Sequence, residues 1–414
     1  DMGQSLSGTI YIREFTKPIM KLTDKLMADN PTIGPRTTFT AFTETNTKRL
    51  YKATEQIGTN PVKDVYYFAG DAKNNWVKFG KTKESSCTYK GKELFIFNDT
   101  GLKIVETQTE CETYSLCNHK SLGLMLVENS SMCGNETGTI LTEKATWNGT
   151  STKDIYWRII RTNADGSIKL LYAGTSPDTD KAYIGASAFN TTYNDPMYVG
   201  YKYGTTGSLE NNRLNTNDST IKTYVDNWYK NNLTAYTKYL SNDAVYCNDR
   251  NLASGQTYST TKGFNYASYE RLGGDTIAPT YNCTNMSDAF SVNNTSAKLD
   301  YPVGLMTIDE LSYAGGESGT KLSAPYAWYY TNANGESITG VAPFWALSPG
   351  GWGGSYSSVW LVDGSGGPGG LFDDFVFVSF AVRPSVSLSS CNLISRGDGS
   401  ANNPYTVYIG SGSC

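Results

Sequence analysis

The stretch YWRIIRTNADGSIKLLYAG, residues 156–174, determines more of the fold than any other part of the sequence. Short runs rich in Ile, Leu, Tyr and Trp lie on both sides of NADG, which is typical of two antiparallel strands joined by a tight turn. The pattern predicts a β-hairpin with strands over 155–162 and 167–172. A second hairpin is predicted upstream, from DVYYFAGD (64–71), an AKNN turn and WVKF (76–79).

A long helix is predicted to begin at Asp218 or Ser219, either of which can cap it. The apolar residues that follow have the spacing of one helical face: Ile221, Tyr224, Val225 and Trp228. We expect this helix to run to about Leu240, with a weak point at 231–232.

A second, shorter helix carries clearer end signals. Thr307 and Glu310 have the T-x-x-E spacing of a capping box, and Gly315-Gly316 is suited to its C-terminus. The adjacent acids Asp309 and Glu310 do not face each other on a helix, so we interpret this pair as structural.

The first 62 residues are predicted to form an arm and a helix. Residues 7–15 alternate loosely and can form an edge strand, and a helical pattern follows from Pro18 to Asn30-Pro31. The stretch up to Asn60 is rich in threonine and polar. We expect an extended linker there, with an ordered surface loop as the alternative.

The C-terminal part changes character after Trp345. Residues 348–370 are Gly/Ser turns around a short apolar strand, and FVFVSFAVRPSVSL (375–388) alternates as a strand. Its loops concentrate aromatic, Gly, Ser and Asp residues in the way binding loops do. The candidate ligand-binding residues are Trp352, Tyr356, Ser357, Phe372, Asp373, Asp374, Phe375, Phe377 and Ser379. Alternatively, strand periodicity buries half of these aromatics. Four apolar residues are expected in the core: Trp345, Val359, Leu361 and Val382.

Composition excludes several classes of partner. The 414 residues include 35 basic and 39 acidic side chains, and the net charge of -4 offers no basic surface for nucleic acid or anionic membrane. No run of 18 or more apolar residues is present, so no transmembrane segment is predicted. Only 18% of residues are charged, whereas Gly (41) and Tyr (30) are abundant.

The sequence does not predict an enzyme. His119 is the only histidine, and the chain has no nucleophile elbow, zinc-protease helix, P-loop or dinucleotide fingerprint. Asp373-Asp374 is predicted to lie in a loop between two strands, where a solvated loop tip is favoured over a cation site. We therefore predict no catalytic residue, no metal and no cofactor.

Cysteine usage indicates export. The chain has an even number of cysteines and no C-x-x-C pair, which suits disulfides better than zinc or redox chemistry. The alternative is a cytosolic protein with free thiols. Four cysteines lie in a segment that interrupts the two hairpins, and the other four follow it: Cys87, Cys111, Cys117, Cys133, Cys247, Cys283, Cys391 and Cys414.

Several blocks together resemble a known family. WALSPG (345–350), SVWLVDGSG (358–366) and AVRPSVSL (381–388) are similar to the signature of a domain of unknown function in surface proteins of gut-dwelling Gram-positive bacteria. Upstream blocks agree, so that the resemblance covers about 65–80 and 155–407. These domains resemble the C-type-lectin-like fold of formylglycine-generating enzymes and of the variable proteins of diversity-generating retroelements.

The resemblance implies an α+β fold, with two helices around a twisted antiparallel sheet. It divides the chain into an N-terminal strand, helix and linker (1–62), a C-type-lectin-like domain (63–80 with 155–390), a disulfide-stapled four-cysteine insertion (81–154) and a C-terminal tail (391–414). It also implies the pairs Cys247–Cys283 and Cys391–Cys414, with the insertion pairing within itself. The reactive cysteine pair of the formylglycine-generating enzymes has no counterpart in 340–390, and the calcium motifs of sugar-binding lectins are missing.

Our first hypothesis is therefore an exported bacterial surface protein that binds a protein or glycan ligand through loops 350–358 and 364–380. These loops resemble those that retroelements diversify. Our second hypothesis is a structural subunit, in which residues 7–15 add to a neighbour's sheet and assemble an extracellular filament or surface layer.

Overall fold

The structure, a computed structural model, describes residues 20–98, 101–120, 123–134, 138–274, 276–364, 366–410 and 414. Strand residues make up 36% and helical residues 16%, which confirms a mixed α+β class dominated by sheets. The predicted strand over 7–15 and the start of the predicted N-terminal helix lie outside the described residues.

The helices are short. In the described part of the chain the α-helices are Leu22–Asp29, Gln108–Thr113, Leu209–Asn212, Thr220–Asn232, Ala267–Gly273 and Ile308–Ala314. The 3-10 helices are Ser130–Cys133, Pro196–Val199 and Thr234–Tyr239.

The largest sheet has 12 strands. Its main path runs in the order Met20–Lys21, Leu393–Arg396, Tyr405–Val407, Trp76–Tyr89, Thr146–Thr162, Ile168–Tyr172, Ser385–Leu388 and Val303–Gly304. Four further strands branch from it: Thr32–Pro35, Arg49–Glu55, Lys63–Tyr67 and Lys92–Glu93. Three two-stranded ladders lie beside it: Thr45–Asn46 with Asp71–Ala72, Lys202–Tyr203 with Asn217–Asp218, and Tyr246–Cys247 with Ala289–Phe290.

The hairpin predicted over 155–172 is confirmed. Thr146–Thr162 pairs antiparallel with Ile168–Tyr172, and Trp157 lies opposite Tyr172. Trp157 is fully buried, and its indole N–H donates to the carbonyl of Phe79 at 2.8 Å. This hairpin is therefore central to the main core.

The other predicted hairpin is wrong in its pairing, although both of its strands exist. Lys63–Tyr67 pairs with Arg49–Glu55, and Trp76–Tyr89 pairs with Thr146–Thr162. Residues 49–55 belong to the stretch predicted as a linker, so that prediction is also corrected. Leu50 of this strand is buried, but the polar residues around it in the sequence obscure the apolar pattern of a strand.

The helices predicted from Ser219 and from Thr307 are confirmed, with one corrected end, and the described part of the predicted N-terminal helix is Leu22–Asp29. Ser219 caps Thr220–Asn232 by accepting from the Lys222 N–H, and the chain continues as a 3-10 helix rather than an α-helix to Leu240. The helix ends where the Asn232 side chain turns to neighbouring groups: its amide donates to the Trp228 carbonyl, and its oxygen accepts from Thr82. The Thr307 and Glu310 capping box begins Ile308–Ala314, and Gly315 ends it at a φ of 123°.

The four-cysteine segment forms a five-stranded sheet of its own. The strand order is Gly101–Ile104, Phe95–Asn98, Gly123–Val127, Ser115–His119 and Gly138–Ile140. The segment is carried on a long two-stranded ribbon, because Trp76–Tyr89 and Thr146–Thr162 both extend from the body into it.

The C-terminal loops belong to a six-stranded sheet. Its main path is Ala186–Ala188, Ser379–Ala381, Phe344–Trp352, Ser357–Val362 and Leu371–Phe375, with Phe264–Asn265 paired to the third of these. The single strand predicted over 375–388 is wrong, because the chain leaves this sheet near Arg383 and Pro384 and joins the large sheet at Ser385–Leu388. Proline cannot donate to a ladder, and Arg383 instead binds carbonyl groups in the core. The four residues expected in the core are all buried: Trp345, Val359, Leu361 and Val382.

All eight cysteines are disulfide-bonded, in the pairs Cys87–Cys111, Cys117–Cys133, Cys247–Cys283 and Cys391–Cys414. The pairing is the one that the resemblance implies. Four disulfides indicate an oxidising, extracellular environment. Among the described helices, none combines the length and the apolar character needed to cross a membrane.

Candidate functional site

The predicted ligand-binding residues divide into exposed and buried ones. Tyr356 and Phe377 are 40% and 43% exposed, whereas Trp352 is only 3% exposed. Ser357 is fully buried, and its hydroxyl donates to the Asp195 carbonyl at 2.8 Å. The side chains of Trp352 and Ser357 therefore do not face the surface, contrary to the expectation. The remaining five are partly exposed: Phe372, Asp373, Asp374, Phe375 and Ser379.

Four aromatic side chains form one continuous patch, which we call the aromatic surface: Tyr193, Tyr356, Phe375 and Phe377. The ring centroids of Tyr193 and Phe377 are 4.7 Å apart, and those of Phe377 and Phe375 are 5.6 Å apart with nearly parallel planes. Tyr356 contacts Phe375 edge-on at 4.3 Å. Such ring pairs attract each other, so the rings hold one another in place while Tyr193 stays 44% exposed.

Backbone hydrogen bonds tie together the three segments that supply these rings. The Ser357 N–H donates to the Tyr193 carbonyl at 3.0 Å, and the Val376 N–H donates to the Ser357 carbonyl at 3.1 Å. Tyr356 lies on a tight turn closed by the Gly353 N–H, with Gly354 at a φ of 87° that favours glycine. The patch is thus displayed on a scaffold of strand ends. Sequence reasoning missed Tyr193 because it lies far from the others in the chain.

The acidic pair in this region is not a loop tip. Asp373 and Asp374 lie in the strand Leu371–Phe375, opposite Trp360 and Val359, so the predicted loop position is corrected. Successive strand residues point to opposite faces, which separates the two carboxylates. Burial raises the pKa of Asp373 despite a hydrogen bond from Ser358.

An acidic cluster elsewhere surrounds a buried lysine. Carboxylate oxygens of Asp218, Asp226 and Asp300 come together closely enough to resemble a metal site. The Lys222 ammonium lies among them, with Nζ at 3.2 Å from Asp218, 2.5 Å from Asp226 and 3.1 Å from Asp300. This cluster is an ion-pair network.

A second charged network is buried between the large sheet and the helix Ile308–Ala314. Glu310 Oε1 accepts from Arg161 Nε at 2.9 Å and from Lys169 Nζ at 2.8 Å, and Arg161 also pairs with Glu55 at 2.8 Å. The adjoining cavity has a volume of about 20 Å³, which accommodates one water rather than a ligand. The network is therefore structural. The sequence indicated only the capping role of Glu310.

The single histidine of the sequence lies close to an aromatic ring. His119 lies in the insertion, with its ring centroid 6.5 Å from that of Phe97. Every cysteine is in a disulfide, so no thiol is available for a Cys-His mechanism.

Comparison with protein-family models, curated proteins and solved structures finds no match to this chain. The site must therefore be judged from its own residues. Among those that the structure describes, the aromatic surface is the best-formed exposed cluster of predicted ligand-binding side chains.

Proposed function

We propose that the protein is a non-enzymatic bacterial surface protein that uses a C-type-lectin-like domain to bind a protein ligand through the aromatic surface. The observation that carries the proposal is the continuous exposure of Tyr193, Tyr356 and Phe377 around Phe375. Contiguous exposed rings are uncommon on monomers without a partner, and Tyr is enriched among the residues that dominate binding energy.

The chemistry of the patch favours a protein over a glycan. Two of the four rings are phenylalanines, which offer no hydrogen bond, and the rings pack on one another. A protein ligand can bury such an apolar centre beneath a polar rim. Asp374 lies next to Phe375 in the chain, is partly exposed and would contribute to that rim.

The test is a double variant, Tyr356→Ala with Phe377→Ala. Both side chains are exposed, so we expect the fold to persist. The matched control is Val62→Ala with Leu214→Ala, two apolar side chains that are 55% and 56% exposed outside the patch. Purified protein is screened against a panel of extracellular proteins and a glycan panel.

We expect protein ligands to be bound by the wild type and the control, and to be bound about 30-fold more weakly by the double variant, because two central aromatics contribute about 2 kcal/mol or more. Absence of any protein ligand for the wild type, or equal binding of a protein ligand by all three proteins, would overturn the proposal.

The geometry also sharpens the hypothesis that these loops are diversified. In such a case Tyr356 and Phe377 would vary between isolates, because their side chains are exposed. Trp352 and Ser357 would stay constant, because they are packed inside. Sequencing the locus from many isolates tests this, and uniform codons over 350–380 would contradict it.

The alternative of a filament subunit rests on residues 7–15, which lie outside the described residues. The adjoining strand Met20–Lys21 is the terminal strand on the main path of the large sheet. Electron microscopy of the protein with and without residues 1–16 tests this alternative, and monomers in both samples would argue against it.

A further inference from the structure

A cleft separates the four-cysteine insertion from the body of the molecule. Its volume is about 880 Å³, within the range of small-ligand sites, which is roughly 300–1,000 Å³. One wall is the helix Thr220–Asn232, and the other is formed by the ribbon and the insertion. The cleft is a separate feature from the aromatic surface.

One face of the helix lines the cleft. Tyr224, Asn227, Trp228 and Asn231 have the spacing of a single helical face, while Ile221, Val225 and Tyr229 on the other side are buried. The Tyr224 hydroxyl donates to the Ile184 carbonyl at 3.1 Å, and the Trp228 ring packs edge-on against Tyr172 at 5.5 Å. The two aromatic rings are thus fixed before any ligand binds.

Two amides on the same face are available to a ligand. Asn227 and Asn231 are exposed and line the cleft. Neither side chain makes a hydrogen bond to any other described residue. Each amide offers two donors and an acceptor beside the Trp228 ring.

The rest of the lining carries carboxylates and three more aromatic rings, those of Phe95, Tyr172 and Tyr183. Glu93 pairs with Lys181 at 2.8 Å, and the Lys181 ammonium lies 4.5 Å from the centre of the Phe95 ring. Burial, followed by the nearby Glu93 charge, raises the pKa of Glu84.

The two walls are joined at the base of the cleft. Asn232 Oδ1 accepts from the Thr82 hydroxyl at 2.9 Å and from the Lys83 N–H at 3.3 Å. Thr175 donates to both Glu84 oxygens at 3.2–3.3 Å. These contacts fix the ribbon against the body, so the cleft is preformed.

We propose that this cleft binds a neutral oligosaccharide. A sugar ring has an apolar C–H face, which packs on aromatic rings, and in-plane hydroxyls, which pair with amide and carboxylate groups. The cleft supplies both kinds of partner. Its lining has three acidic and two basic residues, Glu84, Glu93, Glu106, Lys83 and Lys181, and this balance disfavours an anionic ligand.

The test uses isothermal titration calorimetry with the intact protein. The neutral probes are four β-1,4-linked tetrasaccharides, one each of glucose, N-acetylglucosamine, mannose and galactose. The anionic probe is a heparin tetrasaccharide. The variant is Asn227→Ala with Asn231→Ala, both at exposed helical positions where alanine favours the helix. Asn402→Ala, an exposed amide outside the cleft, is the matched control.

We expect at least one neutral tetrasaccharide to bind the wild type, and to bind the double variant at least about tenfold more weakly because two hydrogen-bonding partners are lost. The Asn402→Ala control should bind as the wild type does. Tyr356→Ala with Phe377→Ala should also retain binding, which separates this site from the aromatic surface. The inference is overturned if no neutral probe binds, if the cleft variant binds unchanged, or if the heparin probe binds more tightly.

Discussion

Glu310→Gln should destabilise the protein by about 3–5 kcal/mol, because it removes the charge that neutralises a buried lysine. The Glu310 and Lys169 side chains are both 1% exposed. Arg161 keeps Glu55 as a partner, but no other described carboxylate forms an ion pair with Lys169. Glutamine preserves the size of the side chain and can still accept in the capping box, so the substitution isolates the charge.

The measurement is the free energy of unfolding in urea, followed by tryptophan fluorescence with the disulfides intact. Glu270→Gln is the matched control, since this exposed glutamate also accepts a backbone N–H, from Ser254 at 2.7 Å, and its loss should cost less than about 0.5 kcal/mol. Adding Lys169→Met to Glu310→Gln should recover part of the loss, because no unpaired charge then remains. A loss below about 1 kcal/mol for Glu310→Gln, or a double variant as unstable as the sum of the single ones, would refute this reasoning.

Two further predictions concern other buried charges. Arg383→Lys should lower the free energy of unfolding in urea by about 2–3 kcal/mol. Arg383 donates to the Tyr172 carbonyl through two nitrogens and to the Tyr329 carbonyl through a third, and lysine lacks this planar fork of donors. A loss below about 1 kcal/mol would contradict the prediction. Burial raises the pKa of Asp226 to about 6, although Lys222 opposes the shift, so a carboxylate NMR titration should place its midpoint near 6. The folded state then holds this proton more tightly than the unfolded state, and the group lowers stability as the pH rises from about 4 to about 6; a midpoint below 4 would exclude this effect.

Local sequence signals predicted the helices and turns whose ends are determined by residues close together in the chain. The Ser219 cap, the Thr307 and Glu310 capping box and the NADG turn all act within a few residues, and the structure has each of them. The pairing of strands was harder to predict, because the sequence of Lys63–Tyr67 is the same whichever neighbouring strand it joins. Its actual partner, Arg49–Glu55, is marked as a strand only by burial that comes from the rest of the fold.

The candidate sites were only partly predictable for the same reason. Tyr356, Phe375 and Phe377 were recognised as a cluster because they are close in the chain, whereas Tyr193 joins them only through backbone hydrogen bonding to Ser357. The cleft was not predicted, since its walls come from the insertion and from a helix that lies well beyond it in sequence. Such a site exists only once the ribbon is fixed against the body, by Asn232 with Thr82 and by Thr175 with Glu84.

The residues that carry the family resemblance have structural roles here. Arg158 of the YWRII block is fully buried and donates to Asn75 and to the Ala72 and Thr331 carbonyls. Trp345 of WALSPG donates to the Ser187 carbonyl, and Arg383 of the AVRP block binds two further carbonyls. Such buried groups can satisfy unpaired backbone acceptors in many proteins of one architecture without specifying a ligand. We therefore propose that ligand selection depends on exposed side chains, those of the aromatic surface and the Asn227 and Asn231 amides of the cleft, rather than on these buried groups.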